Sequence, residues 1–280
     1  MSNFFRRTLT GVWIVLFILG GFLLHPISFF LTGLILLAGT QYEYYLLIRS
    51  TGIRPQMVTG MITGLTVYVL STLIAAGKLP SGSFLFLIPF WAIIMIVELY
   101  RKQEKPFDSL AHTFFSVLLT AVPFSMLPFA AFSRNGLNSI LPHSSIQFSP
   151  GIVLGFFILL WAYDTGAYLL GTTFGKHRLM DRISPKKSWE GFFGGLVIAS
   201  AIACFLSGWL GILDTKGWVI IAVIVSIAGT YGDLVESMLK RSIGVKDSGN
   251  IMPGHGGFLD RFDSMILSFP LVYLYIALFG

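Results

Sequence analysis

The stretch SMLKRSIGVKDSGNIMPGHGGFLDRFD, Ser237 to Asp263, decides how the rest of the chain is read. It packs Lys240, Arg241, Lys246, Asp247, His255, Asp260, Arg261 and Asp263 between two runs that are otherwise apolar. An apolar protein has no folding need for such a cluster. Asp260 and Asp263 are three residues apart, so on a helix they share a face. The turn Pro253-Gly254-His255-Gly256-Gly257 precedes them. Its bare backbone can bring N–H groups close to an anion, at a helix start whose dipole also favours negative charge. Just upstream, Asp233, Glu236 and Lys240 are spaced by three and four, again one helical face. Carboxylates able to hold a divalent cation thus sit beside cations and glycines able to hold phosphates. That is the equipment of phosphoryl or nucleotidyl transfer.

The flanking runs set the class of protein. Of 280 residues, 55% are hydrophobic and only 11% charged, and the mean hydropathy is +0.79. Soluble domains carry about 25% charged residues, so composition excludes a soluble fold and predicts an all-α polytopic membrane protein. The net charge of +6 suits anionic partners such as lipid headgroups or a nucleotide, although basic loops also serve topology alone. Nothing in the sequence asks for nucleic acid. The single cysteine, Cys204, excludes an intrachain disulfide and is expected to be a small buried hydrophobe.

Nine apolar runs are each near the ~20 residues that a bilayer-spanning helix needs. They cover about 8–24, 27–48, 57–76, 84–100, 111–132, 151–172, 191–213, 218–239 and 258–279. Arg6 and Arg7 precede the first, which resembles a signal peptide without a clear cleavage site, so an uncleaved first span is expected. With the N-terminus in the cytoplasm and strict alternation, only Lys78, Arg134 and Lys216 of the 19 Lys and Arg fall outside. That split obeys the positive-inside rule. It places both of the most basic loops, 173–190 and 240–258, in the cytosol, where nucleotides are. Residues 1–150 are expected to form about five N-terminal spans, and 151–280 a catalytic region. Glu43 and Glu98 lie near the cytosolic ends of their spans, and ion pairing with Arg49 or Arg101 is the plainer reading for both.

A second polar region precedes the first one in the chain. Asp164 sits in Trp161-Ala-Tyr-Asp-Thr-Gly-Ala-Tyr168, inside an apolar run, where a carboxylate is costly and usually faces a polar cavity. The following loop carries Lys176-His177-Arg178 and then Ser184-Pro-Lys-Lys-Ser-Trp-Glu-Gly191. Ser184, Lys186, Lys187 and backbone amides at this spacing suit a triphosphate, with lysine as a point charge. An ordinary basic loop anchored by Trp189 is the competing reading.

Both regions resemble one known family. Ser237, Lys240-Arg241, Lys246-Asp247, Pro253, His255-Gly256-Gly257, Asp260-Arg261 and Asp263 match the signature of the bacterial phosphatidate cytidylyltransferases, the CDP-diacylglycerol synthases. Met252 departs from the usual Leu, Ile or Phe, an apolar exchange. Asp164-Thr-Gly-Ala-Tyr168 and Ser184 to Gly191 are similar to the second recurrent block of the same family. The resemblance covers roughly 161–263. It implies CMP transfer from CTP to phosphatidic acid, in the plasma membrane, with Mg²⁺. It assigns Asp233 and Asp260 to the metal, with Asp263 close by. Lys240, Arg241 and Lys246 would hold phosphates, with Asp247, His255 and Arg261 in the same cluster and Gly256 and Gly257 in the turn. Ser184, Lys186 and Lys187 would contribute from the other loop, while Asp164 and Glu190 would complete the polar cavity. Oligomeric state is open, a homodimer being among the expectations. Two other classes fit parts of the pattern: another CTP-using lipid enzyme, such as a polyprenol kinase or a CDP-archaeol-type synthase, and an anion transporter, which would also use intramembrane acids.

Overall fold

The computed structural model describes residues 3–134, 146–249 and 256–280. Helices dominate: α1 (Asn3–Leu23), α2 (Pro26–Arg49), α3 (Met57–Ala75), α4 (Leu87–Arg101), α5 (Pro106–Ser116), α6 (Val122–Ala131), α7 (Gly151–Phe174), α8 (Trp189–Leu210), α9 (Thr215–Ile243) and α10 (Leu259–Phe279). A 3₁₀ turn leads into α4, and a π-type segment, Val117–Ala121, joins α5 to α6 without a break. Seven helical segments among the described residues are long and apolar enough to cross a membrane, from Met57–Ala75 to Leu259–Phe279. α1 and α2, of 21 and 24 residues, fall outside that set. In α2 the apolar pattern is interrupted by Gln41, Glu43 and three tyrosines, and those residues have work of their own. Large apolar side chains such as Trp91, Leu99, Phe205 and Leu278 face outward. This surface suits hydrocarbon rather than water, and the chain is a multi-pass membrane protein.

The α-only expectation misses two small antiparallel hairpins. β1 (Phe132–Arg134) pairs with β2 (Ile146–Phe148), and β3 (Arg178–Met180) with β4 (Ser184–Ser188). The second hairpin is the basic loop between α7 and α8. Its strands are short and one carries Pro185, so the sequence shows no period-2 alternation by which to recognise them.

Packing follows chain order in the second half. α7 lies along α8, α8 on α9, and α9 on α10. Without a hydrophobic drive between helices in lipid, close approach through small residues does this work. A methyl group on Gly191 would lie 2.7 Å from the Ala167 carbonyl, and one on Gly195 2.8 Å from that of Tyr163. α10 also packs on α2 and α6, which ties the two halves together. The main core, with Phe22, Phe29, Phe156, Trp218, Phe262 and Phe269, lies among these helices. A smaller cluster at the loop end joins Tyr44, Tyr45, Leu47 and Ile48 of α2 to Leu259.

Two intramembrane acids divide. Glu98 pairs with Arg101 at 2.8 Å as expected and also accepts from Gln56 at 2.7 Å. Glu43 does not turn to Arg49: its carboxylate receives the Leu259 amide at 2.9 Å. Cys204 is exposed rather than buried. An outward face in lipid is as apolar as a core, so an apolar run alone does not fix which way a small side chain points.

Candidate active site

One cavity of about 590 Å³ collects side chains from both motif regions. α7 contributes Asp164, β4 contributes Lys186 and Lys187, α9 contributes Asp233, and the first turns of α10 contribute Asp260, Arg261 and Asp263. Phe157, Leu160 and Trp161 form an apolar part of the wall, and Val15 and Ile18 of α1 close one side.

The local structure explains how these groups meet. Ser188 caps α8, its hydroxyl accepting from the Gly191 amide at 3.2 Å, which fixes the end of β4 where α8 starts. The hairpin then points Lys187 at α9, where its Nζ lies 2.7 Å from Asp233 Oδ2. Asp233 also accepts from the Ser237 hydroxyl one turn on, at 3.1 Å. Gly232 lets α10 come close beside it: a methyl there would lie 2.5 Å from the Asp263 carbonyl. Asp233 and Asp263 therefore face one space from adjacent helices. Asp164 lies within electrostatic range of Lys187, Asp233 and Arg261.

Asp260 is held from behind. Lys240 Nζ stands between Glu236 and Asp260, 2.6 Å from Asp260 Oδ1. The amides of Gly257 and Ser248 donate to Asp260 Oδ2 at 2.8 and 3.0 Å. The turn's left-handed residue is Gly256, with φ of 81°. Sequence reading expected these glycine amides to meet a phosphate. The Gly257 amide instead meets the carboxylate three residues on, the nearest anion and the one that starts the helix.

The other expected residues lie apart from the lining. Ser184 is paired in the hairpin with Met180. Glu190 accepts the Lys176 and His177 amides at 3.1 and 3.2 Å and lies 2.6 Å from His177 Nδ1, so it shapes the approach to β3. Arg241, Lys246 and Asp247 are exposed, and Arg241 donates to the Val245 carbonyl at 3.4 Å. His255 lies outside the described residues. Sequence reasoning missed Glu43 as part of this neighbourhood. It also noted Glu236 only for its spacing, although that spacing to Lys240 is the signal of their pairing.

The donor set fits Mg²⁺. This cation takes oxygen ligands and is commonly held by one or two carboxylates, with substrate phosphates completing its shell. Asp233 and Asp263 line the cavity, Asp233 receiving the Lys187 ammonium and the Ser237 hydroxyl, while Asp260 receives an ammonium and two amides. Among the described residues no three His, Cys, Asp or Glu side chains converge as a complete protein-only site.

A cavity in a multi-pass membrane protein that interleaves carboxylates with lysines and an arginine beside an apolar flank is equipped for a transferase that handles phosphate groups. The comparison with known families gives the same class more narrowly: residues 5–279 match the cytidylyltransferase family, and the chain belongs to it. A phosphatidate cytidylyltransferase of Staphylococcus haemolyticus (strain JCSC1435) is 34% identical over 269 residues, 95% of this chain and 96% of that one. That of Bacillus subtilis (strain 168) is 46% identical over 124 residues, 44% of this chain and 46% of the relative. That of Staphylococcus aureus (strain COL) is 47% identical over 126 residues, with 43% and 46% covered. These last two alignments span about half the length of the relatives they match.

Proposed function

We propose that this protein transfers the CMP moiety of CTP to phosphatidic acid, forming CDP-diacylglycerol and pyrophosphate. The observation that carries this reading is the cavity itself. Asp164, Asp233 and Asp263 meet Lys186, Lys187 and Arg261 there, beside an apolar wall that an acyl chain can follow. Family membership and the full-length relative support the same reaction.

The lipid phosphate is anionic near neutral pH, so the attacking oxygen needs positioning more than deprotonation. It forms a bond to the α-phosphorus of CTP while the bond to the bridging oxygen breaks, and pyrophosphate leaves with that electron pair. Charge stabilisation is the main task. Lys186, Lys187 and Arg261 supply fixed positive charge around the phosphates. Asp233, with Asp263 or Asp260 beside it, would hold Mg²⁺, which when bound neutralises phosphate oxygens and draws charge from the α-phosphorus. Asp164 adds negative charge within electrostatic range of Lys187 and Arg261, and the buried Glu236–Lys240–Asp260 chain keeps the first turn of α10 in place.

The same reading includes nine spans with a cytosolic N-terminus, in the plasma membrane, with both motif loops on the cytosolic side where CTP is. Residues 151–280 carry the catalytic region and 1–150 the remaining spans. The test uses purified protein in detergent with CTP, phosphatidic acid and Mg²⁺. Stoichiometric release of pyrophosphate and CDP-diacylglycerol is expected. Pyrophosphate release that is indifferent to phosphatidic acid, or γ-phosphate transfer to the lipid, would overturn it.

A further inference from the structure

The helix that carries Asp260, Arg261 and Asp263 is anchored by a residue from the other half of the chain. Glu43 of α2 is 1% exposed. Its Oε2 accepts the Leu259 amide at 2.9 Å and the Ser248 hydroxyl at 3.4 Å. Leu259 is the first residue of α10, and Phe258 in the cap position provides no side-chain acceptor. The first amides of any helix lack intrahelical partners and are usually met by a nearby Ser, Thr, Asp or Asn. Here a carboxylate from a distant helix takes that part, with its charge at the positive end of the dipole. Leaving such a charge buried without these donors would be costly.

The surroundings are shaped to the same contact. Gly257 is so close to Glu43 Oε2 that a side chain there would collide with it, and a methyl on Gly249 would lie 2.7 Å from Oε1. One turn earlier on α2, a methyl on Gly39 would lie 2.7 Å from the Phe258 ring. Ser248 links the two carboxylates, its hydroxyl on Glu43 and its amide on Asp260 at 3.0 Å. The ends of the signature loop are thus pinned to α2 and to α10 at the place where the cavity's acids begin.

We propose that Glu43 is a positioning residue of the transferase, which sets Asp260, Arg261 and Asp263 by capping α10 from α2. The proposal rests on the transferase reading, and its test separates the two. Glu43→Gln keeps size and an acceptor but weakens a charge-assisted bond to a neutral one. Glu43→Ala removes the cap. Both are made in the full chain. Two quantities are measured: kcat and KM per folded molecule, and backbone hydrogen exchange by mass spectrometry. Exchange over 256–263 should quicken in Glu43→Ala and to a lesser degree in Glu43→Gln, with protection of the other helices unchanged. In parallel kcat should fall by about 10- to 100-fold, the scale of a displaced catalytic group, with KM for CTP within about twofold. Local exchange without loss of kcat, or loss of kcat without local exchange, overturns the assignment. So does loss of protection throughout the protein in Glu43→Gln, which would make Glu43 a residue of the fold alone. If Glu43→Ala does not fold, Glu43→Gln decides. An inactive parent protein would overturn the transferase reading, whereas an active parent with unaffected variants overturns only the role of Glu43.

Discussion

Gly232→Ala adds one methyl group, removes no chemical function, and should nearly silence the enzyme. The added carbon would lie 2.5 Å from the Asp263 carbonyl oxygen and 3.2 Å from the Ser264 Cα, both backbone atoms of α10. Ordinary contact begins near 3.4 Å, so α9 and α10 must part by about 0.9 Å at this level. Alanine favours the helix over glycine by about 1 kcal/mol, while overpacking costs about 1–3 kcal/mol. The net change in stability is therefore small, and the folded protein should survive. The separation falls between Asp233 and Asp263, and a misplacement of about 1 Å can cost 10²-fold in rate. The assay is kcat at saturating CTP and phosphatidic acid, beside the unfolding temperature in detergent. Gly208→Ala on α8, where the new methyl meets nothing within 4 Å, is the control and should retain full activity. A folded Gly232→Ala protein with kcat within about twofold of the parent would refute the view that this helix contact sets the acids in register.

Three further outcomes follow from the same geometry. Lys240→Met leaves Glu236 and Asp260 buried without their shared ammonium, and loss of one partner of a buried pair costs about 3–5 kcal/mol; the lower end applies because Asp260 keeps the Gly257 and Ser248 amides. A clear fall in unfolding temperature is expected, and no fall would show that the triad contributes nothing. Lys186→Ala should mainly raise KM for one substrate, whereas Asp260→Asn should lower kcat, as steady-state kinetics with each substrate varied in turn will show; a pure kcat effect of Lys186→Ala would move that lysine into the chemical step. Cysteines placed at Lys246 and Lys216, in a chain whose own Cys204 has been replaced by serine, should react with impermeant reagent from inside and outside the cell respectively; the reverse pattern would invert the topology.

What could be read from the sequence follows from how local each cause is. The apolar runs at 57–76, 151–172 and 258–279 lie over α3, α7 and α10, because length and hydropathy are properties of neighbours in the chain. The i, i+4 spacing of Glu236 and Lys240 is an equally local signal, read from the sequence only as a shared helical face although the two side chains pair. Lys187 on Asp233 was not legible: the two residues lie on different elements, and the hairpin that joins them has no strand periodicity. Glu43 was read toward Arg49 because an acid near a cation is the obvious match in a sequence. Its partner is a backbone amide, which every residue but proline possesses, so no residue type marks it. Lys240 looked like a phosphate ligand for a related reason, since the second of the two carboxylates that engage it lies 20 residues away.

The Glu43–Leu259 bond closes a loop of 216 residues, which sets an order of events during synthesis. α2 enters the membrane long before α10 is made, and α7 to α9 can pair in between. A nascent chain that has reached only α9 holds Lys187 and Asp233 but lacks Asp260, Arg261 and Asp263, so it has a docking place for the last helix and no completed site. The acids of the cavity therefore come together only once α10 has packed against α9 and α2.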